Sequence, residues 1–372
     1  MKILFFAPCA LDRKLGAAKM LMELSEAMEA LGWHCTLMGP PDLNATLDDG
    51  PEKLEHFLRE HADEYDVIDF DYKYLRLNRQ AFSDRILMVA RAQLLLHHYV
   101  FSPMPPVTDL KSAIRLLKYQ KDRFQKWRTL SRHDATFREA DLVSVLNQHA
   151  KRDLARRGVA PETILVFPNG MNDAQRATFE AVAVEPPPEP VVAFIGMFGP
   201  RKGSADFPDL VRRVAEAVPS VRFRLMGTRG MFKTEAEVLA HFAPALHRNI
   251  EVIPSYAPET LPELLAPCAM GVFPSYAEGF PLGVMEMLAA ALPVIAYDVP
   301  GAPEMLRPED LVAPRDTVAM SEKVIALLTD RERLAATRKW ARNRAAVFNW
   351  KDIAARTHAV YAEALKQKRK SA

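Results

Sequence analysis

The 372-residue chain is short of cysteine, glycine, long apolar runs and any excess of one charge. Its three cysteines, Cys9, Cys35 and Cys268, are scattered and odd in number. They exclude a disulfide framework or a CxxC metal knuckle and fit a reducing cytoplasm. No apolar run reaches the roughly 18 residues that span a bilayer. Lys plus Arg number 49 against 47 acids, a net charge of +2, so the whole chain is not built to grip nucleic acid. GxxxxGK[ST] is missing, which argues against a P-loop nucleotidase. No GxGxxG follows the first strand, which argues against a dinucleotide cofactor.

What remains is ordinary globular material: 49% apolar and 26% charged residues. The length suits two domains. The N-terminal MKILFFAPCAL reads as a buried first strand rather than a signal, because Asp12, Arg13 and Lys14 follow at once with no small-residue cleavage site. Continuous apolar runs predict parallel strands at Ile3–Ala7, His34–Met38, Val67–Phe70, Ile86–Ala90, Leu142–Leu146 and Thr163–Phe167. A second series predicts Val191–Ile195, Val221–Met226, Ile250–Ile253, Gly271–Phe273 and Pro293–Tyr297. Helical spacing runs through Met20, Leu21, Leu24, Ala27, Met28 and Leu31 to a stop at Gly32. Further helices are expected near 207–217, 235–246, 259–266, 281–292, 316–329 and 331–366. Two βα series predict an α/β chain of two Rossmann-like, doubly wound domains. EPPPEP at 185–190 reads as a stiff, exposed linker. The tail KQKRKSA is expected to fray.

In such sheets ligands lie beyond the carboxyl ends of the strands. In the second half those loops are GMFGPRKG (196–203), GTRG (227–230), PSY (254–256), PSYAEGFPLG (274–283) and DVPG (298–301). Four of the five carry glycine in a chain with only 15. Glycine lets backbone N–H groups approach a ligand, so these loops point to phosphate or nucleotide. The segment PLGVMEMLAAAL predicts a buried helix whose one ionisable residue, Glu286, needs a partner. A ribose diol is one suitable partner and a structural salt bridge is the other. The helix N-terminus at 281–283 suits a diphosphate. Glu278 lies in the loop entering that helix.

EGFPLGVME, with Glu278 and Glu286 eight apart, resembles the signature of the family-4 retaining glycosyltransferases of the GT-B fold. ILVFPNGMN (164–172), FIGMFGPRKG (194–203), ALPVIAYDVPGAPEML (291–306) and FNWKDIAARTHAVYAEAL (348–365) resemble further family segments in the same order. The likeness is closest over 164–365 and looser but collinear over 1–163.

The resemblance implies an acceptor-side domain over 1–172 and a nucleotide-sugar-binding domain over 190–350, facing a cleft. It also implies a closing helix, 351–366, that returns to the first domain. It implies metal-independent hexosyl transfer, with retention and no cofactor, from a nucleotide diphosphate sugar, UDP- or GDP-linked. The acceptor would be a hydroxyl of a glycan, a lipid-linked or a small molecule. Glu286 would bind the ribose, and Lys202, with Arg201, the diphosphate. Gly199 and the backbone of Gly279, Phe280, Pro281, Leu282 and Gly283 would cradle phosphate and sugar. Glu278 would lie near the donor sugar and Tyr256 near the base. On the acceptor side the alignment points to Gly16, Arg91, Gln93 and His97.

The chain departs from the pattern in places. Met197 stands where the family carries Arg, Gln93 where it often carries His, and LGAAK keeps one glycine of a usual pair. A module that binds nucleotide sugar without turnover is the alternative.

Asp69-Phe70-Asp71 has the form of a metal-binding DxD, without other features of that type. His97-His98 is not metal-ligand spacing on one helix face. The stretch 111–132 holds eight basic residues and one acid. It reads as a solvated amphipathic helix packed on the first domain, or as a basic face for anionic lipid or a charged acceptor at the inner membrane surface.

Overall fold

The computed structural model describes residues 1–13, 15–46, 49–104, 107 and 110–371, with side chains at all of these except 111, 112, 115 and 371. All eleven apolar runs form strands. Six make the first sheet: β1 (Lys2–Phe6), β2 (His34–Met38), β3 (Val67–Asp71), β4 (Leu87–Ala92), β5 (Leu142–Val145) and β6 (Ile164–Val166). They are parallel, in the order β2-β1-β3-β4-β5-β6. The second sheet holds β7 (Val191–Ile195), β8 (Arg222–Met226), β9 (Ile250–Ile253), β10 (Met270–Phe273), β11 (Val294–Tyr297) and β12 (Leu311–Val312). It is also parallel, in the order β12-β11-β10-β7-β8-β9. The two-residue edge strand β12 has no apolar run long enough to predict it. The central strands β1, β3, β4, β7 and β10 are buried almost throughout, as parallel strands covered on both faces must be.

The chain divides into two compact units. The first comprises 1–97, 126–172 and 348–372, and the second 98–125 and 173–347. Helices flank each sheet. Phe207–Ala217 is typical: Phe207, Leu210, Val211 and Val214 are buried at helical spacing, and Pro208 sits in the first turn. The 235–246 run is interrupted. Its helix spans Glu235–Leu239, and Pro244 opens a separate 3-10 turn. The 281–292 helix is Leu282–Ala289, and Ala291 beyond it has a left-handed φ of 59°. The 331–366 pattern resolves into two helices, Arg331–Ala345 and Trp350–Ser371.

The last helix belongs to the first unit and packs on the helix Gly16–Glu29. Trp350 Nε1 donates to Glu23 Oε2 at 2.7 Å, and Tyr361 OH to Asp69 Oδ2 at 2.8 Å. The tail expected to fray is helical through Ser371, where Lys368 pairs with Asp141 at 2.7 Å and Arg369 with Asp66 at 3.0 Å, and its Ala372 lies outside the described residues. The Pro-rich linker is also tied down rather than free. Fully buried Arg338 donates to the carbonyls of Ala183, Val184, Cys268 and Ala269 at 2.8–2.9 Å. Arg331 holds the Pro186 carbonyl at 2.9 Å. Burial lowers the Arg338 pKa to about 10. Among the described residues no helix is long and apolar enough to cross a membrane.

Candidate active site

Strand order in the second sheet reverses between β7 and β10, the place where open α/β sheets leave a crevice. The loops after these two strands meet there. Gly203 closes the 3-10 turn Pro200–Lys202 with φ of 76°, and a Cβ on it would lie 2.0 Å from the Pro274 carbonyl oxygen. Only glycine permits both the left-handed backbone and that approach. The Tyr276 N–H then donates to the Arg201 carbonyl at 2.8 Å.

This junction aims three charges at one point. Lys202 Nζ donates to Glu278 Oε1 at 2.7 Å and Arg201 Nη1 to the same oxygen at 2.9 Å. The Ser275 hydroxyl lies against that oxygen too. Lys202 also sits 4.7 Å from the Phe273 ring centroid. Burial lowers the Lys202 pKa, and Glu278 only partly restores it. For Glu278, burial acts upward, but Lys202 and Arg201 outweigh it and hold the carboxyl below its usual range. The donors converge on Oε1, and Oε2 takes none of them. Two cations on one oxygen form a site that a multiply charged anion can enter by exchanging partners with Glu278.

Beside this cluster the helix Leu282–Ala289 starts after Pro281 with no side-chain cap and no acid in its first turn. Its first N–H groups have no acceptor within the helix, an arrangement that suits an anion. Gly283 packs on the end of β7: a Cβ there would meet the Ile195 carbonyl oxygen at 2.9 Å. Gly301, with φ of 94°, lies against the Gly279 carbonyl in the same way. Phe280 and Pro281 are buried, whereas Leu282, Gly283 and Glu286 form the half-open face of the helix. Glu286 is therefore half-buried on that face rather than sealed in an all-apolar helix. Burial, and next the charge of Glu286, raise the pKa of Tyr256, whose ring edge also faces Gly227 (φ 69°). The structure thus brings Arg201, Lys202 and Glu278 into contact, and sets Glu286 within electrostatic reach of Tyr256. Gly199, at the start of the Pro200–Lys202 turn, faces open space.

In the first unit Gly16 is exposed at the start of its helix, and Gln93 Nε2 donates to the Ala17 carbonyl beside it at 3.0 Å. Arg91 and His97, expected on the acceptor side, are turned into the interior. Arg91 grips Asp69 through two bonds of 2.8 and 2.5 Å, and His97 lies 3.0 Å from Asp134. Asp69 of the DxD-like triplet is thereby occupied by Arg91 and Tyr361.

Sequence reasoning misses a second network. Tyr276 and Tyr297 stack at 5.8 Å and both donate to buried Asp206, at 2.5 and 2.6 Å. It anchors the loop that carries Glu278. Its members come from two loops and the end of strand β11, so no spacing reveals it. Asp71 stands out in the sequence only through the DxD triplet. Its Oδ2 is buried at the end of β3 without a hydrogen bond, 3.5 Å from Lys73 Nζ, and burial raises its pKa.

Residues 189–330 match the model of the glycosyl transferases group 1 family, and this stretch holds every element of the cation cluster. That stretch is similar to the family's glycosyl transferases. Among curated relatives is D-inositol 3-phosphate glycosyltransferase of Nocardia farcinica, 30% identical over 57% of this chain and 50% of its own length. The protein of the same name from Thermobispora bispora is 30% identical over 56% of this chain and 52% of its own. The chain spans about half the length of these relatives. Sucrose-phosphate synthase of Thermosynechococcus elongatus shares the fold with a TM-score of 0.70 at 21% identity, covering 98% of both chains. Anabaena HepE in complex with UDP has a TM-score of 0.67 at 18% identity, covering 98% of this chain and all of its own. The fold is GT-B. Against the family pattern, Met197 is 54% exposed and carries no charge, while Arg201 reaches Glu278.

Proposed function

We propose that this chain transfers a hexosyl unit from a nucleotide diphosphate sugar to a hydroxyl of a glycan, a lipid-linked or a small-molecule acceptor. Transfer retains the anomeric configuration and needs neither metal nor cofactor. The observation that carries this reading is the Arg201–Lys202–Glu278 cluster beside an uncapped helix start at the strand-order reversal. In the reaction the bond from the anomeric carbon to the diphosphate breaks. A bond to the acceptor oxygen forms on the same face, and the departing diphosphate takes up the acceptor's proton. Charge grows on the diphosphate in the transition state, where Lys202, Arg201 and the N–H groups of Leu282 and Gly283 stabilise it. Glu278, released from the cations, uses Oε2 to accept from a sugar hydroxyl. Glu286 takes the ribose diol and Tyr256 lies at the base. The acceptor binds the first domain, near Gly16 and Gln93. The protein works in the cytoplasm, in keeping with Cys9, Cys35 and Cys268 all being free thiols.

UDP donors come first in the test, since HepE was solved with UDP and with UDP-glucose. GDP, ADP and CDP follow. A nucleotide at 100 times its Kd should stabilise the protein by about 2.7 kcal/mol, read as a raised Tm. No shift with any of them would remove the donor site. Lys202→Ala should lower kcat about 100-fold with a smaller change in donor Kd. The alternative, a silent nucleotide-sugar-binding module, draws support from Met197 and Gln93. It predicts the Tm shift without release of nucleotide when acceptors are supplied.

A further inference from the structure

Half of the large apolar side chains that are exposed among the described residues fall within 27 positions of the chain. Phe101, Val107, Leu110, Ile114, Leu117, Phe124 and Trp127 are each 50–78% exposed. Five of them lie on the helix Leu110–Trp127. Leu110, Ile114, Leu117, Lys121 and Phe124 follow one another at alternating steps of four and three, which places them on one face. The opposite face is engaged inward. Asp122 accepts from Tyr99 OH at 2.6 Å, Tyr119 packs edge-on to Tyr99, and Arg123 Nε donates to the Val100 carbonyl at 2.8 Å. The helix is therefore anchored with its apolar stripe outward. This differs from a solvated amphipathic helix, whose apolar stripe is the buried one.

Charge says what covers the stripe. Lys121 lies within it, and Lys118 and Arg128 border it, all exposed. Over 111–132 the sequence carries eight basic residues and one acid, in a chain whose net charge is only +2. A second copy of the chain would set these cations against their own kind. An anionic bilayer neutralises them and takes the apolar side chains into its acyl boundary.

We infer that the outward face of helix Leu110–Trp127, with the preceding Phe101 and Val107, docks in the plane of an anionic membrane surface. Lipid binding needs no nucleotide, so this inference stands or falls separately from the donor site.

The test uses the full chain in co-sedimentation with vesicles of phosphatidylcholine alone, or with about one third phosphatidylglycerol. Binding to the anionic vesicles, weakened by salt, is expected, with little to neutral ones. Trp127 is the exposed one of the four tryptophans, so its emission should shift to the blue on binding. Trp127→Phe should remove that shift. L117D/F124S and, separately, K118E/K121E should each reduce binding at least about tenfold with Tm unchanged, since all four side chains are exposed. Equal binding to both vesicle types would overturn the inference. So would binding that both double variants retain. A dimer in sedimentation velocity that L117D/F124S dissolves, with no vesicle binding, would assign the face to a second copy instead.

Discussion

The two sheets handle the carboxyl ends of their strands in opposite ways. In the second unit all four glycines with left-handed φ, Gly196, Gly203, Gly227 and Gly301, stand in loops just after strands. In the first unit such glycines, Gly32 and Gly158, stand where helices stop. The first unit fills its strand ends with side chains instead: Arg91 on Asp69, Tyr361 on Asp69, Asp71 beside Lys73. One unit thus leaves its strand-end loops to glycine-rich backbone. The other closes its strand ends with a side-chain clamp.

Four experiments can break or sharpen that contrast. Asp69→Ala leaves Arg91 buried without its carboxylate. The cost should be about 3–5 kcal/mol in urea unfolding, with donor affinity of the surviving fold unchanged. Loss of donor binding at full stability would erase the distinction.

Gly203→Ala forces a left-handed alanine against the Pro274 carbonyl. Stability should fall by about 2–4 kcal/mol and the nucleotide-induced Tm shift should vanish. A retained shift would mean that the two loops need not meet.

The pH response should also separate the units. Burial, aided by Arg132 and Lys73, lowers the His133 pKa from 6.5 to about 4. The unfolded chain then binds the proton first, so stability is lost as pH falls from about 6.5 toward 4, by up to about 3 kcal/mol. Glu278 in the second unit has its pKa depressed below 4.5, so its contribution is present above that value and fades only in more acid solution. Urea midpoints at pH 7 and pH 5 for the native chain and His133→Phe test this. An equal pH dependence in both would reject it.

The smallest expected effect is that of Glu286→Ala. It should weaken donor binding by about 1.5–3 kcal/mol in calorimetry and shift the urea midpoint less, because the side chain is half-buried on the open face of its helix. Unchanged affinity would take the ribose away from Glu286.

The same contrast governs what can be read from the sequence. Eleven of the twelve strands announce themselves as local apolar runs; β12, with two residues, has no pattern to read. Lys202 and Glu278 are visible because the loops that carry them are contiguous and rich in glycine, and Glu286 because it is the one ionisable residue of an apolar helical segment. The Asp206–Tyr276–Tyr297 network, the bond from Tyr361 to Asp69 and the ordering of Lys368 and Arg369 depend on partners 70 or more residues away. Composition overstates the burial of Glu286, because a helix that is apolar in sequence still has one open face.

The return of the last helix to the first unit also orders events on the ribosome. Glu23 and Asp69 meet Trp350 and Tyr361 only after the second sheet has been synthesised. At 5–20 residues per second that is a delay of roughly 10–40 s after residue 172 emerges. The half made first is therefore completed last, and until then the nascent chain exposes the groove in which its own C-terminus will lie.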